Sequence, residues 1–186
     1  MKKLLSLSIM LLLIISSTTF ASSDDKFGHE GVDALNPDVE EMLIFALEDE
    51  VLAYTTYEKI VEFFDVTRPF TNIMKAELKH QEAIKTLMAT YNIEIPEVDP
   101  SSHIVLPTTL DEAYQAGVQA EIDNIALYEA FVKTDIPEDI KTVFENLIAG
   151  SENHQASFER QLERNSDVIN NNRSGNNDEN NNRRGR

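Results

Sequence analysis

A carboxylate and an imidazole stand one helical turn apart within an otherwise apolar helical stripe. The stripe has seven inward positions, spaced alternately by three and four residues: Phe70, Ile73, Glu77, His80, Ile84, Leu87 and Tyr91. Residues three apart lie on one face of a helix, so Glu77 and His80 both point into the core. Burying an ion is costly unless it is paired or bound to a metal. The pair therefore predicts partners elsewhere in the chain.

An internal repeat supplies candidate partners. A shift of 71 residues aligns Glu50 with Glu121 and Tyr57 with Tyr128, and a shift of 74 aligns Phe70 with Phe144 and His80 with His154. The unit is a helical hairpin used twice, which predicts an all-α, antiparallel four-helix bundle with a long connection between the hairpins. One position breaks the repeat, because Ser151 stands where the first hairpin has Glu77.

The helical pattern covers residues 36–165, which we interpret as one domain. We predict that helix 1 runs from an Asn36 N-cap to about Phe64 and that helix 2 runs from a Thr67 N-cap to about Asn92. Thr109 is predicted to open helix 3 with a capping box to Glu112, and helix 4 follows the turn at residues 135–137.

The segments outside the bundle have other roles. Residues 1–21 combine two lysines, an apolar run and a small-residue end at Ala21, which indicates a secretory signal peptide. The apolar run is shorter than the ~20 residues of a spanning helix, so we expect an exported protein, periplasmic or extracellular, without a stable membrane anchor after cleavage. We expect residues 22–35 to be a flexible leader and the Asn-rich residues 166–186 to be a disordered tail.

Composition narrows the function classes. The formal net charge of −17 argues against nucleic acid as a partner. The chain has no cysteine, which excludes disulfides and cysteine-bound iron–sulfur or rubredoxin-type sites.

The core-facing polar residues form a candidate metal-ligand set: Glu50, Glu77, His80, Glu121 and His154. In an antiparallel bundle they can lie at one level, and carboxylates with imidazoles suit iron, manganese or zinc. Di-metal bundles recurrently use one Glu from each of two helices and Glu-x-x-His from each of the other two. Here Ser151 and His154 replace the second Glu-x-x-His, so we expect the ion near Glu50, Glu77 and His80 to bind more tightly than the other.

Two alternatives remain open for these residues. The carboxylates and imidazoles could pair with one another in a metal-free bundle, although three acids beside two histidines favour a cation, because like charges raise each other's pKa. Tyr57 and Tyr128 lean back toward the level of the carboxylates. Their hydroxyls could hydrogen-bond the carboxylates, or the two tyrosines could be ordinary aromatic core residues.

The chain resembles the ferritin-like superfamily, in particular its rubrerythrin-like branch. The resemblance is carried by Glu50-x6-Tyr57, Glu77-x-x-His80, Glu121-x6-Tyr128 and His154. More closely, residues 145–154 resemble an exported family called domain of unknown function 2202, and the likeness extends over roughly residues 36–165.

This resemblance implies a di-iron centre with one or two iron ions that oxidises ferrous iron, reduces peroxide or activates oxygen. The expected function is therefore an exported metal-binding protein, a di-iron oxidoreductase of ferroxidase or peroxidase type whose reductant comes from elsewhere. The alternatives are a non-catalytic metal-binding or storage protein, and a metal-free structural or partner-binding bundle. The sequence leaves the oligomeric state open.

Signal cleavage after Ala21 predicts that the exported protein begins at Ser22. Intact-mass measurement of the protein recovered outside the cytoplasm should give the mass of residues 22–186. A mass that still includes residues 1–21 would contradict the prediction.

Overall fold

The computed structural model describes residues 27–28 and 37–182, with side chains described as far as residue 167. Over these ranges the chain forms four α-helices and no strand: α1 (Val39–Phe64), α2 (Phe70–Thr90), α3 (Leu110–Val132) and α4 (Glu138–Asn182). None of the described helices is both long enough and apolar enough to cross a membrane. The predicted all-α fold is confirmed, whereas the proposed signal peptide lies outside the described residues.

Capping boxes begin α1 and α3. At α3 the Thr109 side chain accepts a hydrogen bond from the Glu112 amide, and the Glu112 carboxylate accepts one from the Thr109 amide, as predicted. At α1 the cap is Asp38, paired in the same way with Glu41. The prediction of Asn36 as N-cap is wrong, because α1 begins two residues later, where Asp38 and Glu41 form a complete capping box.

The start of α2 also differs from the prediction. The helix begins at Phe70, its N-cap is Pro69, and no side chain caps it. Thr67 contributes its backbone carbonyl, which accepts a hydrogen bond from the Thr71 amide at 2.8 Å. The cause is Pro69, since a proline disfavours helical backbone at the residue before it and so prevents a helix from starting at Thr67.

Each helix packs against two neighbours. The main contacts join α1 to α2 and α3 to α4, while smaller contacts join α1 to α3 and α2 to α4. One apolar cluster contains the first turns of α1 and α4 and the last turns of α2 and α3. A second cluster contains later turns of α1 and α4 and the first turns of α2 and α3. Neighbouring helices are therefore antiparallel, and the connection from Thr90 to Leu110 runs along the length of the bundle.

Residues 27 and 28, which precede the bundle, contact it at two points, and α4 extends beyond the predicted end of the bundle. The Phe27 ring stacks on His103 of the long connection with centroids 4.2 Å apart, and the Gly28 amide donates to Glu48 Oε2 at 2.8 Å. At the other end, α4 continues to Asn182, so the backbone of residues 166–182 is helical where the composition predicts disorder. Extending a formed helix adds hydrogen bonds without the cost of a new nucleus.

Removal of the α3 cap should measurably destabilise the bundle. Thr109→Ala leaves the Glu112 amide without its side-chain acceptor, and we expect a loss of about 1 kcal/mol in the free energy of unfolding. Urea denaturation followed by circular dichroism measures the change. The control is Gln119→Ala, which removes only an exposed hydrogen bond to Asp123 within the same helix and should change stability by less than about 0.5 kcal/mol. Equal effects of the two substitutions would contradict the assignment of the cap.

Candidate metal centre

The five candidate ligands meet between the two apolar clusters. Their relative exposures are 1% for Glu50, 2% for Glu77, 1% for Glu121 and 7% for His154, and the His80 side chain is 15% exposed. The residues come from all four helices, as the repeat predicts. The antiparallel packing brings the ligand-bearing turns of all four helices to the same level, and apolar clusters lie above and below that level.

The first ligand group joins α1 and α2. His80 Nδ1 lies 3.1 Å from Glu50 Oε2 and 2.9 Å from Glu77 Oε2. One ring nitrogen thus faces two carboxylates. Donor atoms of Glu50, Glu77 and His80 all lie within 4.8 Å of one another, so these three residues could hold a metal ion.

The second ligand group joins α2, α3 and α4. His154 Nδ1 lies 3.1 Å from Glu77 Oε1 and 3.6 Å from Glu121 Oε2. Donor atoms of these three residues also lie within 4.8 Å of one another. The second group therefore has the same composition as the first, two carboxylates and one imidazole.

Glu77 belongs to both groups and presents a different oxygen to each histidine. Oε2 faces His80, and Oε1 faces His154. The expectation that one ion would be short of a carboxylate assumed that Glu77 serves only the first group. The structure removes that basis for unequal affinities, because the two groups share Glu77 and have equal numbers of donors.

Two donor atoms in the second group indicate that the group is suited to a bound cation. Glu77 Oε1 and His154 Nδ1 are buried, and neither has a hydrogen-bond partner among the described residues. They are 3.1 Å apart, but their orientations do not meet the angular requirement of a hydrogen bond. Leaving a buried polar atom unsatisfied costs about 1–3 kcal/mol. A metal ion coordinated by both atoms would satisfy them, so the residues present fit a metal.

The two tyrosines connect the hairpins crosswise. The Tyr57 hydroxyl on α1 donates to Glu121 Oε1 on α3 at 2.9 Å, and the Tyr128 hydroxyl on α3 donates to Glu50 Oε1 on α1 at 2.7 Å. Each tyrosine therefore holds the carboxylate of the other hairpin and leaves the second oxygen of that carboxylate facing a histidine. Of the two alternatives for these tyrosines, the hydrogen-bonding one describes the structure.

The pKa values show how strongly the groups interact. Burial raises the pKa of Glu50 to about 8 and also raises the pKa of Glu121. Burial alone would raise the pKa of Glu77, but the adjacent imidazoles outweigh it and lower the value to about 2. Burial would lower both histidine pKa values, but the neighbouring carboxylates raise that of His80 to about 10 and that of His154 to about 9. Protons on these groups occupy lone pairs that a metal ion would use.

Sequence reasoning missed two supporting residues. Gln81 is buried and donates through Nε2 to the backbone carbonyl of Glu50 at 3.0 Å. Gly150 lies against His80, since a Cβ atom at Gly150 would come within 2.6 Å of His80 Nε2. A glycine inside a helix usually has a packing reason, because it costs about 1 kcal/mol relative to alanine. That signal was available for Gly150. Gln81 could have been noticed because the His-Gln pair recurs at residues 154–155.

A cavity of about 200 Å³ adjoins the cluster between α1 and α3. Small residues on the facing helices, including Ala53, Gly117 and Ala120, line much of it, and the long connection contributes His103. Tyr57 is also part of its wall. Because the Tyr57 hydroxyl binds Glu121, the cavity ends one side chain away from the ligand cluster.

Taken together, the fold and the cluster define a helical-bundle protein with a buried carboxylate–imidazole site that could hold a metal. Residues 39–180 match the family model described as an uncharacterized protein domain, DUF2202, so the chain belongs to this family. The uncharacterized protein MJ0754 of Methanocaldococcus jannaschii is 31% identical over 143 residues, which cover 69% of this chain and 77% of the relative. The crystal structure of the hypothetical protein MJ0754 superposes with a TM-score of 0.64 at 28% identity, covering 72% of this chain and 84% of that one.

Loss of either crosswise hydrogen bond should destabilise the bundle. Tyr57→Phe and Tyr128→Phe each leave a buried carboxylate oxygen without its donor, and we expect each to cost about 1–3 kcal/mol of unfolding free energy. Chemical denaturation in the presence of a chelator measures both. Tyr54→Phe is the matched control, because its hydroxyl makes only an exposed contact of 3.5 Å with Glu58 and should contribute less than about 0.5 kcal/mol. If Tyr57→Phe and Tyr128→Phe each lowered the unfolding free energy no more than the control does, their hydroxyls would not stabilise the cluster.

Proposed function

We propose that this protein binds two iron ions in the buried cluster and is an exported di-iron oxidoreductase acting on oxygen, peroxide or ferrous iron. The observation that carries the proposal is the pair of ligand groups sharing Glu77, in which two buried donor atoms lack hydrogen-bond partners. Carboxylates combined with imidazoles suit iron among the common metals, with manganese and zinc as alternatives. The ferritin-like resemblance of the motifs supports iron and redox chemistry.

The chain's own residues would have distinct tasks in such a site. Glu50 and His80 would hold one ion, Glu121 and His154 would hold the other, and Glu77 would be shared between them. Bound iron would supply redox chemistry with oxygen or peroxide. The tyrosine hydroxyls keep the outer carboxylates oriented, which is the usual task of residues that hydrogen-bond metal ligands.

The surroundings of the cluster favour small substrates. Apolar layers lie on both sides of the site and restrict access of bulk water. The cavity beside Tyr57 has a volume of about 200 Å³, which suits molecules of the size of oxygen or peroxide better than large organic substrates. Since the chain lacks cysteine, an electron donor outside this chain would have to supply the reductant. Separately, the net charge of −17 argues against nucleic acid as a binding partner.

Glu77→Ala should abolish tight binding of both ions, because the shared carboxylate belongs to both ligand groups. We expect affinity to fall by at least ~100-fold, the upper end of what loss of a residue supporting a metal ligand causes. The apolar core is unchanged and the protein should remain helical. Isothermal titration calorimetry of chelator-treated protein with ferrous iron, in the absence of oxygen, measures the change in affinity. The exposed Glu82 on the same helix supplies the control Glu82→Ala.

The same iron-loaded wild type tests for catalysis. If the protein is an oxidoreductase, we expect it to oxidise the bound ferrous iron on exposure to oxygen or peroxide. The absorption of the ferric product monitors this reaction. Binding without accelerated oxidation would identify a storage or transport protein. Full iron occupancy in Glu77→Ala would refute the ligand assignment, and absence of metal binding by the wild type would refute the proposed function.

A further inference from the structure

Ser151 occupies the position of a missing shared ligand. It lies three residues before His154 on α4, as Glu77 lies three residues before His80 on α2. Both positions are buried, with relative exposures of 1% for Ser151 and 2% for Glu77. Since Glu77 serves both ligand groups, its counterpart on α4 would face both groups as well. The exchange of carboxylate for hydroxyl therefore removes a ligand common to the two ions, rather than a ligand of one ion.

The charges of a doubly occupied site do not balance. Two divalent ions would bring four positive charges, while Glu50, Glu77 and Glu121 bring three negative charges and neutral imidazoles bring none. One positive charge remains in a buried position, where an uncompensated charge is costly. A carboxylate at position 151 would have cancelled it.

Among the described residues, no further acid belongs to either ligand group. Glu152 is exposed and lies ~100° around the helix from Ser151. Asp49 is buried beside Glu50 in sequence, but its carboxylate lies against the backbone of the leader, since a Cβ on Gly28 would come within 2.0 Å of Asp49 Oδ1. An anion that coordinates the ions in place of the absent carboxylate would therefore have to come from solution.

We propose that, once two ions are bound, the cluster binds one small monocarboxylate of the size of formate or acetate on the α4 side, at the position of Ser151. The anion would take the place of the carboxylate that the repeat lacks at Ser151. It is recognised by its single negative charge, its two oxygens and its small size, because a buried serine replaces only a glutamate side chain. This inference rests on the proposed function, since the ions hold the anion.

The site is tested with cobalt, whose visible absorption reports its ligands. Chelator-treated full-length protein is loaded with two equivalents of Co²⁺ without oxygen, then titrated with formate and acetate against chloride at matched ionic strength. We expect a saturable change in the cobalt spectrum with one carboxylate per chain and no such change with chloride. Calorimetry gives the stoichiometry independently. Benzoate, which carries the same charge on a bulkier body, should bind at least about tenfold more weakly.

Two kinds of variant test whether the serine hydroxyl or the absence of a carboxylate at position 151 allows the anion to bind. Ser151→Ala should bind formate within about threefold of wild type, because the ions and not the hydroxyl hold the anion. Ser151→Glu and the shorter Ser151→Asp should each retain two cobalt ions yet lose formate binding by at least about tenfold, since the side chain supplies the charge. Circular dichroism confirms that each variant folds, and the aspartate variant covers the case in which glutamate does not fit.

The outcomes distinguish this inference from the proposed function. Wild type that binds two cobalt ions but shows no formate-dependent change overturns the anion site and leaves metal binding intact. Undiminished formate binding in both acidic variants also overturns it, because the anion then binds elsewhere. Wild type that binds no cobalt or iron refutes the proposed function, and the anion site fails with it.

Discussion

The structure depends on keeping the carboxylate of Glu77 in a dry core. The side chain is 2% exposed and lies between two imidazoles, with Oε2 facing His80 and Oε1 facing His154. A carboxylate in such surroundings is tolerated only with close compensation, and the imidazoles of His80 and His154 supply it. The apolar clusters at both ends strengthen these interactions, because electrostatic forces grow as water is excluded.

The same cluster joins the two halves of the bundle. The hairpins α1–α2 and α3–α4 are packed mainly within themselves, and the contacts between them are fewer. Within the cluster, three polar connections cross the boundary: Tyr57 to Glu121, Tyr128 to Glu50 and His154 to Glu77. The second ligand group needs both hairpins, because Glu77 lies on α2 whereas Glu121 and His154 lie on α3 and α4. The second ligand group therefore forms only when the two hairpins are packed together.

Much of the local structure could be predicted, and the errors have identifiable causes. Apolar periodicity located all four helices, because each buries one stripe. The capping box at Thr109 was found from local chemistry alone, whereas Asn36 and Thr67 were misassigned as caps. A suitable cap residue was present in both cases, but Asp38 and Glu41 form a complete capping box just after Asn36, and Pro69 prevented the helix from starting at Thr67. Periodicity predicts which residues are inward, and it is less informative about where a helix begins.

By itself the sequence determined the four-helix architecture, the identity of the five candidate ligands and the exceptional position of Ser151. These follow from side-chain type and spacing along single helices, which are local properties. Only the tertiary structure decided that Glu77 is shared between two ligand groups, that each tyrosine binds the opposite hairpin's carboxylate, and that Gly150 makes room for His80. Those features depend on the rotation of the helices and on the rotamers that packing selects. Spacing along one helix brings a side chain to the core, but contacts across the core depend on how the helices pack.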